Sequence, residues 1–203
     1  MFGAARNRIV KRFGKKPSNL PILEIVWNNA KLHVGKKLQL QDSGYLDLVE
    51  IDQQLVDWVN VLFHDAKFSR EEVPAKFRAA YYFSFYDTQV KNGGHSQFIA
   101  NSGPRRLLFL EDAMEATKSF SELQHYEILE ELIGWIKENP SEVDIQTGFQ
   151  GGRSPFLDIL DDRYFSQSKE KDSLVTNCNW ILGWQDVDIL SEEEYDRRMN
   201  LYK

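Results

Sequence analysis

Residues 121–139 read SELQHYEILEELIGWIKEN. At about 100° per residue, Ile128, Leu129, Leu132, Ile133 and Ile136 gather on one side of an α-helix, while Glu127, Glu130, Glu131 and Glu138 gather on the other. A strand would send both sets to both faces. The spacing therefore predicts a helix with one apolar side for a core and one acidic side for water. Ser121 with Gln124 has capping-box spacing at its start, and Asn139-Pro140 closes it.

Helical signals continue in both directions. Upstream, Pro104 suits the first helical position of a segment over 104–118. Before it a short helix over 95–101 lies between two tight corners, Asn92-Gly93-Gly94 and Ser102-Gly103. Ser69 with Glu72, followed by Pro74, opens an aromatic-rich helix over 72–91, and Leu48, Ile51, Leu55, Trp58, Val59 and Leu62 form one stripe over 45–63. Downstream, residues 140–153 hold Gly148, Gly151 and Gly152 and read as the longest loop. Helices resume over 155–166 and 172–183, and Ser191 with Glu194 caps a last, polar one. Leu20–Ser43 has no clean period, which leaves a short hairpin or irregular packing open. No alternating strand pattern stands elsewhere. The expected fold is all-α, a single domain of about seven or eight helices over 20–203 behind an arm at 1–19.

Bulk composition agrees with a folded chain. With 203 residues, 42% hydrophobic and 28% charged, the protein has enough apolar material for a core without disulfides or metal. Its one cysteine, Cys178, has no intrachain partner, which points to a reducing, cytoplasmic setting. The apolar run Leu20–Trp27 is short and holds Glu24, so no membrane span is expected. The formal net charge of −6 conceals a division. Residues 1–16 carry Arg6, Arg8, Lys11, Arg12, Lys15 and Lys16 and no acid. The 25 bases less these six leave 19 against all 31 acids, a formal −12 for the body. The arm reads as a solvated tail, an arm for nucleic acid or anionic lipid, or a strap for the acidic body.

Catalytic constellations are each incomplete. Glu122 and His125 give one Glu-x-x-His step, where a carboxylate-bridged di-iron site needs two plus further glutamates, so the pair reads as an exposed helix face. Asp161 and Asp162 beside Arg163 point about 100° apart on a helix and read as an ion pair or a cap. No Gly-x-Ser-x-Gly elbow, phosphate loop or Cys-x-x-Cys pair occurs. No catalytic residue, metal or cofactor is therefore expected. The corner Gly93-Gly94-His95 is the place for a small ligand if there is one, and Gln97 and Asn101, four apart, read as braces for a neighbouring loop.

The densest charge lies over 111–144, where Glu111, Asp112, Glu115, Glu122, Glu127, Glu130, Glu131, Glu138, Glu142 and Asp144 face only Lys118 and Lys137, a formal −8. Glu127 and Glu131 stand about 6 Å apart along the axis, so they repel without local benefit and suit a basic partner. The predicted partner-binding residues are Glu111, Asp112, Glu115, Glu127, Glu130, Glu131 and Glu138.

Tyr81-Tyr82, Asp87, Val90, Asn92-Gly93-Gly94, Gln97-Phe98 and Asn101-Ser102-Gly103, followed later by Leu157-Asp158-Ile159-Leu160-Asp161-Asp162-Arg163-Tyr164-Phe165, resemble the two signatures of the DNA-mimic-protein family. The likeness covers about residues 45–185. It implies an all-helical fold in which Asn92, Gly93, Gly94, Gln97 and Asn101 are architectural. It also implies surface carboxylates that stand in for DNA phosphates before a basic, DNA-binding protein, with no direct binding of nucleic acid by the acidic body and a homodimer left open. The basic arm and the modest total charge depart from that pattern. Two alternatives stand beside it, an immunity-like protein that neutralises a toxin, and a ligand-binding protein or enzyme at the Gly93-Gly94-His95 corner.

Overall fold

The structure, a computed structural model, describes residues 23–26, 45–120, 123–148, 154–170, 172–185, 187–191, 193–194 and 197. The arm at 1–19, most of 20–43 and the Ser121-Glu122 end of the quoted helix lie outside the described residues.

The described chain is helical with one pair of short strands. In order it forms β1 (Leu23–Val26), α1 (Tyr45–Asn60), α2 (Ala75–Ser102), α3 (Arg106–Phe120), α4 (Leu123–Glu138), α5 (Pro140–Asp144), α6 (Pro155–Glu170), α7 (Ser173–Leu182) and β2 (Val187–Leu190). A π-helical turn at Val61–Asp65 follows α1, and 3₁₀ turns at Arg70–Glu72 and Gly103–Arg105 lead into α2 and α3. By their contacts the described residues divide into two compact units, one within 1–77 and 177–203 and the other within 78–176.

In the first unit the stripe predicted on α1 is the buried one: Leu48, Ile51, Leu55 and Val59 are fully buried and Trp58 nearly so. Each such side chain contributes about 1.5–3 kcal/mol by leaving water. Phe77 packs between Trp58 and Trp184, with ring centroids 4.7 and 4.9 Å away. Cys178 is buried and its thiol donates to the Leu48 carbonyl at 3.3 Å, the behaviour of a small core residue. The π turn ends in a left-handed Lys67 (φ 58), after which the Phe68 N–H reaches back to the Leu62 carbonyl at 2.9 Å and Phe68 is buried.

Several sequence expectations are corrected here. β1 pairs in parallel with β2, Leu23 opposite Val187 and Val26 opposite Leu190, so its described partner comes from the far end of the chain rather than from a local hairpin. Residues 187–190, where no strand pattern was expected, form a strand whose Val187 and Leu190 are buried. The Ser69–Glu72 capping box exists, but it caps the 3₁₀ turn, and α2 starts at Ala75. The segment 140–153 does not begin as loop: Pro140 opens the five-residue α5, which buries Val143.

The second unit holds α3 against α4 and α4 against α6. On α4, Ile128, Leu129, Leu132 and Ile136 are buried as predicted, while Trp135 replaces the half-exposed Ile133 on the core side. No described helix is long and apolar enough to cross a membrane.

Candidate functional site

Two features of the second unit bear on function, the corner inside α2 and the carboxylates of α3 and α4. The corner follows from glycine. Gly94 holds φ 74 and ψ −177, a backbone conformation essentially closed to residues with a Cβ, and it breaks the helical run between Asn92 and His95. The helix that restarts at His95 presents free N–H groups, and Asp161 of α6 supplies the acceptor. One carboxylate oxygen takes the His95 backbone N–H at 2.8 Å and the ring Nδ1 at 2.5 Å. This is a helix cap delivered from another helix, the cap reading of Asp161. A Cβ on Gly94 would stand 2.9 Å from the Asp161 carboxyl carbon, so the glycine makes room for an internal carboxylate rather than for a ligand.

His95 is fully buried, and its Nε2 lies 2.8 Å from the Tyr86 hydroxyl. Both ring nitrogens are thus occupied by protein groups. Burial, with the charges of Asp87 and Asp161 adding to it, pushes the Tyr86 hydroxyl well above its ordinary range and keeps it protonated. With the Tyr86 hydroxyl donating to Nε2, the pairing has Nδ1–H donating to the Asp161 carboxylate. Neither ring nitrogen is exposed.

Beside it lies a second buried network that sequence reasoning missed. The Asp87 carboxylate accepts hydrogen bonds from the Tyr164 and Ser173 hydroxyls and pairs with Lys91 at 2.8 Å. Lys91 also donates to Ser173 at 3.0 Å. Burial first, then the Asp87 charge, raises the Tyr164 phenol, so it serves as a donor. The sequence did carry a signal: Asp87 falls on the stripe Phe83, Tyr86, Val90, where a charge on the core side needs internal partners.

Gln97 and Asn101, expected to brace a neighbouring loop, bond instead within α2. Both donate to the Gln89 side-chain oxygen Oε1, at 3.1 and 2.6 Å. Gly148 (φ 77) passes so close that a Cβ there would lie 3.2 Å from the Gln97 Cα, and a Cβ on Gly93 would meet the Gln97 side chain at 3.0 Å. Asn92 is exposed at the corner's edge. His125, read as part of an exposed face, is instead 4% exposed, with its ring against Tyr164 and Phe83. Among the described residues no group of three or more His, Cys, Asp or Glu side chains is placed to hold a metal.

The carboxylates divide into compensated and uncompensated sets. Asp112 is a correction: it is buried at 4% exposure, where the part-buried Arg78 guanidinium requires a counter-charge and donates to it at 3.3 Å. Glu115 is exposed but bonded to Lys118 at 2.7 Å, and that bond raises the lysine's pKa. Glu131 accepts from Arg163 of α6 at 2.7 Å, which relieves its repulsion with Glu127 and raises the arginine's pKa. Glu111, Glu127, Glu130 and Glu138 are exposed and form no ion pair among the described residues. The three on α4 lie within about 80° of one another around the helix and span about 16 Å of its length, opposite the buried stripe. Gly134 falls between them, its Cβ direction open.

A family model described as DMP19-like protein matches residues 71–183, more than half of the chain. The chain belongs to the DMP19-like protein family. The DMP19-like region includes the whole second unit and both motifs, and it starts at 71 rather than at 45. No significant match was found among curated proteins or among solved structures.

Proposed function

We propose that this protein is a non-catalytic binding protein whose acidic α4 surface engages a basic partner, a DNA-binding protein in the manner of the DNA-mimic family. One observation carries the reading: Glu127, Glu130 and Glu138 stand outward together on a 16-residue helix and form no ion pair among the described residues, with only the Arg163 charge reaching Glu127. Three like charges on one face repel, and a basic partner removes that repulsion while neutralising its own field. Membership in the DMP19-like family supports the same reading.

The set is narrower than the sequence alone implies, because Asp112, Glu115 and Glu131 already have internal partners. A ligand-binding or catalytic role for the Gly93-Gly94-His95 corner loses its support, since Asp161, Tyr86 and Gln97 fill it. A toxin-neutralising role would use the same face and differ in the partner alone. The test is capture from source lysate on the immobilised protein at low and at high ionic strength. The expected result is a basic protein retained at low salt and released at high salt. Retention of none, or of a partner indifferent to salt, would count against the proposal.

A further inference from the structure

We draw no further inference here: the strongest candidate, the hollow that Asp57, Asn60, His64 and Asp65 line where α1 widens into the π-helical turn, is a small acidic cluster beside which no second feature among the described residues points to a ligand.

Discussion

Replacing Gly94 by alanine adds one methyl group at the point where α2 breaks. An L-residue at φ 74 and ψ −177 costs about 1–3 kcal/mol in backbone strain alone. The new Cβ also displaces the Asp161 carboxylate, which leaves the His95 N–H and ring Nδ1 without their acceptor. Charge-assisted bonds of this kind are worth about 1.5–3 kcal/mol each, and the lower end applies because the Asp161 side chain keeps 22% of its exposure. The expected loss is about 4–6 kcal/mol, a large part of the roughly 5–15 kcal/mol that holds a domain folded. Gly134→Ala is the matched control. Gly134 sits inside α4 with nothing within 4 Å of its Cβ, so the same methyl should stabilise by about 0.5–1 kcal/mol. Urea titrations of both variants, followed by circular dichroism, read the two signs directly. A Gly94→Ala protein within about 1 kcal/mol of the parent, on the scale that resolves the control, would refute the account of the corner.

Other consequences are smaller in scope. Asp112→Ala should destabilise by about 1–3 kcal/mol, because it removes a carboxylate from the part-buried Arg78 guanidinium; the urea midpoint checks this. Tyr164→Phe removes one donor from buried Asp87 while keeping the ring, and should cost about 1–3 kcal/mol in the same titration. Glu115→Gln should change stability by no more than about 0.5 kcal/mol, since its lysine partner is exposed; a shift as large as that of Asp112→Ala would contradict the division between the two acids.

Much of this fold is legible because its helices are amphipathic. The stripes of α1 and α4 are set by three- and four-residue spacing, which any local window captures. The break at Gly93-Gly94 is equally local, since Gly94 holds a conformation that essentially only glycine adopts. What escaped is non-local. Strand β2 is four residues within an acidic run, and it earns its conformation by pairing with residues more than 160 positions away. Asp112 looked like one more surface acid because nothing near it in sequence reveals Arg78, 34 positions earlier on another helix. His95, Asp161 and Tyr86 were each noticed or passed over singly, since their meeting depends on how α2 and α6 pack. The same holds for Glu131: its partner Arg163 is close only in space.

The acidic face is tested most directly by measuring partner affinity after Glu127→Gln, Glu130→Gln and Glu138→Gln are combined in one protein, beside a variant carrying Glu115→Gln alone. The triple variant keeps the buried side of α4, so its helical signal should match the parent and its midpoint should be no lower. Its affinity at low salt should fall by tenfold or more, about 1.4 kcal/mol, with a shallower salt dependence, while Glu115→Gln leaves both unchanged. Equal binding by the parent and a folded triple variant would contradict the claim that these carboxylates meet the partner.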